Sequence, residues 1–200
     1  MSWYFLNTWA GKEEALVKEI HRIIPPYWYK DCFVMYQERI WRRQQRSIVH
    51  REQLFPGYVF LTCEDNGRES PLYCYLDKSL DVVKGMADNG FTVFPMRKED
   101  GDFLEKLSGE DHVIRLSYVR KNEDGKVNPV SGPLTKCAGQ IERYQFKKRY
   151  AMVRCRLWGK DQAMVLGIML REDREQRLFN QGSAHFKELF FNEKGYGSKL

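Results

Sequence analysis

The 200-residue chain is 42% hydrophobic and 30% charged, the composition of a soluble globular protein, with a length that suits one large domain or two small ones. It holds no apolar run near the roughly 20 residues of a membrane span. Its start, Met1-Ser2-Trp3-Tyr4-Phe5-Leu6-Asn7, lacks the basic head, long apolar core and cleavage site of a signal peptide, so a cytoplasmic protein without a membrane partner is expected.

In chain order, Trp3-Tyr4-Phe5-Leu6 is an apolar run that predicts a buried strand, and Gly11 breaks it. From Lys12 onward Leu16, Ile20, Ile23 and Ile24 recur at helical spacing until Pro25-Pro26. Residues Cys32–Trp41 predict a second strand, and five arginines (Arg39, Arg42, Arg43, Arg46, Arg51) mark a long hairpin. Leu54 to Leu61 predicts a central strand introduced by Pro56-Gly57. Ser70-Pro71 opens a short helix reaching about Lys78. A brief strand follows at Val82-Val83, then a helix over about Lys98–Ser108. The expected architecture of residues 1–115 is therefore α+β, an antiparallel sheet with three helices.

Residues 116–126 are expected to be a linker, because Tyr118–Lys126 is polar, charged and contains a glycine. Beyond it the pattern is purely β. Strands are predicted at Asn128–Gly132, after Gly139-Gln140-Ile141, through alternating Ala151, Val153, Cys155 and Leu157, and at Met164–Ile168, a small all-β barrel over residues 127–172. Residues 173–200 form a tail without an assigned role, compatible with a short helix over about Ala184–Phe191 or with a frayed end.

The formal charge of +6 has a location: residues 127–172 carry nine Lys/Arg against three Asp/Glu, whereas residues 1–126 carry 19 against 20. That excess points to a polyanion, usually nucleic acid. The five cysteines are scattered and form no CxxC pair, which argues against a disulfide framework or a zinc site; Cys63, Cys74 and Cys155 lie in apolar patterns as small buried hydrophobes. The four histidines show no metal-ligand spacing. With no Walker loop and no GxSxG, no enzyme activity, cofactor or metal is expected.

Trp3-Tyr4 with Gly11-Lys12-Glu13, followed by Leu54-Phe55-Pro56-Gly57-Tyr58-Val59, resembles the N-terminal domain of NusG proteins. Val130-Ser131-Gly132-Pro133-Leu134 with Gly139-Gln140-Ile141 resembles a KOW module, which implies a five-stranded barrel. Together the resemblance covers about residues 2–172. It implies a monomeric transcription factor whose N-terminal domain binds the clamp helices of the largest RNA polymerase subunit and holds the clamp closed. The positions matching the family's contact surface are Trp9, Phe55, Pro56 and Tyr58, with Tyr4 nearby. Arg42, Arg43 and Arg46 match a basic hairpin that lies near upstream DNA in relatives. Tyr73, Tyr75 and Lys78 fall where the specialised relative RfaH reads the non-template strand. The polar reading motif is absent here, which leaves stacking on, or neutralising, an unpaired strand.

In general NusG proteins the barrel docks on a small-subunit ribosomal protein or on Rho, and Leu134, Leu157, Trp158 and Lys160 occupy the matching places. Its basic residues, Lys136, Arg143, Lys147, Lys148, Arg149, Arg154, Arg156 and Lys160, favour structured RNA instead. Arg154 and Arg156 alternate with inward Val153 and Cys155, so both project from one outer face, with Lys148 beside them. The string Lys147–Ala151 and the Ser-Gly-Pro-Leu entry look like LoaP, the antiterminator branch whose KOW domain binds an RNA hairpin. The reading is a LoaP-like antitermination factor; a general NusG and a ribosome-associated RNA-binding protein are the alternatives.

Overall fold

The apolar run at the start of the chain presents side chains to both sides of a strand, and both sides are covered. In the computed structural model, which describes residues 1–43, 46–64, 93–123 and 125–175, β1 (Ser2–Asn7) lies inside an antiparallel sheet. Its neighbours are β5 (Tyr58–Cys63), with Leu6 opposite Val59, and β6 (Val93–Pro95); β2 (Asp31–Phe33) flanks β5. Tyr4, Leu6, Val59 and Leu61 face one way, onto Leu16, Ile20 and Ile24 of helix α1 (Glu13–Ile23) and its C-cap. Trp3, Phe33 and Phe60 face the other way, towards Leu104 and Leu107 of helix α2 (Lys98–Leu107). The 16, 20, 24 spacing is one stripe of a helix. Ile24, extended because it precedes proline, ends it.

The arginine-rich stretch folds as the expected ribbon: β3 (Tyr36–Arg43) pairs with β4 (Arg46–Gln53) from Tyr36 opposite Gln53 to Arg43 opposite Arg46. The strand expected over 32–41 is thus divided between β2 and β3, and β3 also pairs in parallel with β7 (Val113–Ile114).

The barrel contains β8 (Ser117–Lys121), β9 (Val127–Ser131), β10 (Ile141–Gln145), β11 (Tyr150–Leu157) and β12 (Lys160–Met169). Their order is β10-β11-β12-β8-β9, with β8 and β12 parallel and the other neighbours antiparallel. Here the structure corrects the linker expected at 116–126: β8 is a barrel strand, and Asn122–Lys126 is the turn of a hairpin, closed by Asn122 N–H donating to Lys126 O at 2.8 Å. Asn, Asp and Gly serve tight turns and linkers alike, so composition does not separate the two. The opening residues of the expected tail differ as well, since Arg171–Glu175 is a short helix, α3, in which Asp173 is buried. The helix expected from Ser70, the strand at Val82-Val83, Cys74 and the helix considered at Ala184–Phe191 lie outside the described residues.

The barrel sits directly on the N-terminal layer. Trp3, Phe33 and Phe60 share one core with Leu134, Val153, Cys155 and Ile168 of the barrel. A smaller cluster joins Ile40 of β3 to Leu116 and Met169. Between these, the backbones of β3 and β12 touch, because a methyl group on Gly167 would overlap the Glu38 carbonyl oxygen. Glu38 is itself buried and accepts the Leu116 N–H at 3.2 Å; burial pushes its carboxyl pKa up. Gly167→Ala should push β12 off β3 and lower the unfolding free energy by about 1–3 kcal/mol, read from urea denaturation; an unchanged midpoint contradicts the close approach.

Candidate functional site

Two glycine turns stand side by side at one end of the sheet. Trp9–Lys12 is closed by Lys12 N–H to Trp9 O at 2.9 Å, with Gly11 at φ +87°. Phe55–Tyr58 is closed by Tyr58 N–H to Phe55 O at 3.2 Å, with Gly57 at φ +85°. A positive φ at the third position is the type II geometry that glycine satisfies without strain, and Pro56 stands at its preferred second position. Glu13, fully buried, joins the turns: its carboxylate accepts Gly57 N–H at 2.6 Å and Gly11 N–H at 2.7 Å. Burial pushes this carboxyl pKa up, but the bonds from Gly57, Gly11 and the Gln53 side chain outweigh it and hold the group below the ordinary glutamate range. The Gly-Lys-Glu and Phe-Pro-Gly-Tyr strings, 40-odd residues apart in sequence, are therefore one structural unit.

This unit sets out the aromatic residues. Trp9 is 57% exposed. Pro56 is exposed, and Phe55 and Tyr58 are half-buried behind it. Phe5 tilts against Tyr58 and stacks on Phe94 at 5.1 Å. Tyr4 requires a correction: it is 1% exposed and packed on the α1 side of the sheet, because alternation sends it opposite to Phe5.

The barrel reaches the same cluster through the turn joining β11 to β12. Trp158 and Gly159, at φ 53° and 77°, form a two-residue hairpin turn of the I′ kind. The Trp158 N–H donates to Oδ2 of buried Asp100 at 2.8 Å. Its ring stacks on Tyr58 at 5.5 Å and meets Phe55 edge-on at 5.0 Å and Phe5 at 5.9 Å. The aromatic face is thus covered on one flank by the barrel, while Trp9 and Pro56 stay open. Of the residues expected at the barrel's own partner loop, Leu134 and Leu157 are 0% and 1% exposed and belong to the core, a second correction. Trp158 and Lys160 reach the surface.

The basic residues divide into distinct environments. Arg42 pairs with Glu172 at 3.3 Å, and Arg43 and Arg46 close the β3–β4 ribbon. Tyr73, Tyr75 and Lys78 lie outside the described residues. On the barrel, Arg154 and Arg156 are exposed on the outer face of β11, as the alternation requires. Yet Arg154 is paired with Glu142 at 2.5 Å, and Arg156 stands opposite Asp161. Lys136 donates to the Lys106 carbonyl of α2 at 2.6 Å, and exposed Arg143 lies against Met152. Lys147 and Lys148 are exposed in the turn between β10 and β11, beside Tyr144 and Phe146, whose rings stack at 5.8 Å. Arg149 is corrected outright: it is 2% exposed, with Nε donating to Asp173 at 2.6 Å and further bonds to Glu172 and the Phe146 carbonyl. A guanidinium so enclosed offers nothing to a phosphate.

Sequence reasoning missed Glu13, Asp100 and Asp173, the buried carboxylates that hold these parts in place. Only Glu13 had a signal, a carboxylate directly after the Gly11 turn. Glu13→Gln should therefore cost about 1–3 kcal/mol at neutral pH, the worth of hydrogen bonds to a charged group. The depressed folded pKa stabilises the fold above the unfolded glutamate value, about 4.3, and that contribution disappears as pH falls through the lower folded value. Thermal melts should show a smaller acid-induced loss in the variant than in the wild type; parallel losses overturn the role.

Residues 1–102 match the model of a family described as "Transcription termination factor nusG". A protein of Thermus thermophilus named "Transcription termination/antitermination protein NusG" is 21% identical over 174 residues, covering 83% of this chain and 95% of its own. A Helicobacter pylori protein of the same name is 22% identical over 167 residues, covering 80% and 92%. The match spans the two pinned turns and the strands that carry them, and the chain belongs to the NusG family of transcription elongation and termination factors.

Proposed function

We propose that this chain is a specialised factor for processive elongation and antitermination, bound to RNA polymerase by its aromatic face and to leader RNA by its barrel. The observation that carries the reading is the Glu13-pinned pair of turns. It holds Trp9, Phe55, Pro56 and Tyr58 on rigid backbone at one surface, the arrangement of aromatic anchors that dominates binding energy in protein interfaces. The partner the resemblance implies is the clamp-helix pair of the largest polymerase subunit. Higher affinity for the clamp-closed enzyme would then favour that state by differential binding. The arginine ribbon, at Arg42, Arg43 and Arg46, would lie towards DNA.

Trp158 adds a condition. It occupies the flank of Phe55 and Tyr58, so polymerase and barrel compete for the same rings, and engagement lifts the Trp158 hairpin away. The RNA reading rests on Arg143, Lys147 and Lys148 with the neighbouring Tyr144–Phe146 pair, cationic and aromatic groups with no ion-pair partner among the described residues. Coupling to a ribosomal protein or Rho, the general-factor alternative, has less to draw on, because Leu134 and Leu157 are buried and Trp158 is engaged.

Titration of core polymerase with labelled full-length protein tests the first half. Phe55→Ala and Tyr58→Ala should each weaken binding by about tenfold or more while the melting curve stays cooperative. Trp158→Ala should strengthen binding by several-fold, about the factor by which the covered state suppresses it. Wild-type protein that fails to bind polymerase overturns the reading. For the barrel, Lys147→Glu with Lys148→Glu should weaken binding to a structured leader hairpin and reduce the log–log salt slope by about one to two. An unchanged slope places the RNA contact elsewhere.

A further inference from the structure

The turn between β10 and β11 presents an aromatic ring that the fold leaves partly uncovered. Phe146 opens this turn and is 38% exposed. Its ring lies parallel to that of Tyr144, with centroids 5.8 Å apart and planes 7° from each other. Tyr144, opposite buried Ala151, packs against the shared core and so backs the pair. Arg149 fixes the backbone at the far side of the turn. At φ 53° it returns its N–H to the Phe146 carbonyl at 3.3 Å, and its guanidinium donates to the same oxygen. That guanidinium is held in turn by Asp173 at 2.6 Å. Ring and backbone are therefore set before any ligand arrives, which lowers the ordering cost of binding.

The neighbours of this ring select what it binds. Lys147 and Lys148 follow it directly, both exposed, and neither has an ion-pair partner among the described residues. An apolar protein surface seated on Phe146 would draw two ammonium groups out of water without pairing them, which is costly. An acidic protein surface would pair the lysines but offer the ring only carboxylates. A nucleotide satisfies both, because its base stacks on the ring while the phosphates of the same backbone meet the lysines. The base has to be unpaired. In a duplex each base is already stacked on its neighbours, and the A-form major groove admits no side chain to read it.

We infer that Phe146, backed by Tyr144, is a stacking surface for an unpaired nucleobase, with Lys147 and Lys148 on the flanking phosphates. The inference rests on the reading of this turn as the RNA contact and deepens it: the turn recognises a loop or single-stranded segment rather than a paired stem. The ligand chemistry, an unpaired base on a phosphodiester backbone, is common to RNA and displaced DNA.

The test is fluorescence anisotropy at low salt with the full chain. The labelled probes are a single-stranded RNA of mixed sequence, the same sequence as DNA, and its blunt RNA duplex. Phe146→Ala should weaken single-strand binding by about tenfold, the effect of losing one stacked base, and leave duplex binding unchanged. Phe146→Trp should keep the affinity. Phe146→Leu retains apolar bulk without a π-face, so it should melt as the wild type does and bind as weakly as the alanine variant. The single strand with the larger Phe146 effect identifies the source, and equal effects mean that either serves. Four results overturn the stacking surface: wild-type affinity in Phe146→Leu, a lowered melting temperature in that variant, equal losses on single strand and duplex, or no single-strand binding by the wild type. Where Lys147→Glu with Lys148→Glu still weakens binding to either RNA, the RNA reading of the turn stands; where it does not, both fall.

Discussion

Strand β11 is clipped at its two ends by buried carboxylates, and the seat of the barrel depends on them. At one end Asp173 accepts from the Arg149 side chain and, across the interface, from the Ser47 hydroxyl at 2.8 Å. At the other end Asp100 of α2 accepts from the Trp158 backbone N–H. Arg149 and Trp158 both adopt the left-handed conformation, at φ 53°, which is unfavourable for such side chains and persists where surrounding contacts over-determine it. Each carboxylate also has an arginine from its own side of the interface, Arg97 for Asp100 and Arg149 for Asp173. Lifting the barrel therefore opens the apolar core it shares with Trp3, Phe33 and Phe60 and breaks hydrogen bonds, but strands no charge at either carboxylate. Leaving a buried charge unpaired would cost about 3–5 kcal/mol, and this arrangement avoids it.

That asymmetry suits the proposed competition between polymerase and barrel for the aromatic face. The rings a protein partner would grip are assembled permanently, because Glu13 pins their turns inside the N-terminal layer and needs nothing from the barrel. The covering group, Trp158, comes from a two-residue turn attached by one backbone hydrogen bond and ring contacts. A rigid face and a removable cover are what competition between an internal and an external partner requires. The same separation explains why the basic turn at Lys147-Lys148 stays exposed: it lies at the opposite end of β11 from Trp158.

Much of the fold was legible in the chain because its signals are local. The Leu16–Ile20–Ile24 stripe ended by proline, the Ala151–Leu157 alternation and the glycines of two type II turns each follow from backbone geometry within a few residues. The expected linker failed for the same reason: the Asn122–Lys126 turn carries linker composition, and only pairing of β8 with β9 and β12 distinguishes the two. Tyr4 failed because a continuous apolar run does not say which face of the sheet each residue takes. Arg149 failed because a basic string does not reveal that its third cation meets a carboxylate 24 residues later.

By itself the amino-acid order determined β1, α1, the β3–β4 ribbon, β5, α2, the barrel strands after residue 126, the two motif-bearing turns and the concentration of positive charge in the barrel, since hydrophobic period, turn chemistry and charge are written residue by residue. Tertiary structure alone decided that the two motifs share one carboxylate, that Trp158 covers the rings of the first half, and that Arg149 is structural while Lys147 and Lys148 beside it are exposed. Those outcomes depend on distances between segments far apart in the chain. Burial and pairing, which set whether an aromatic or a charge is available to a partner, exist only once those segments have met.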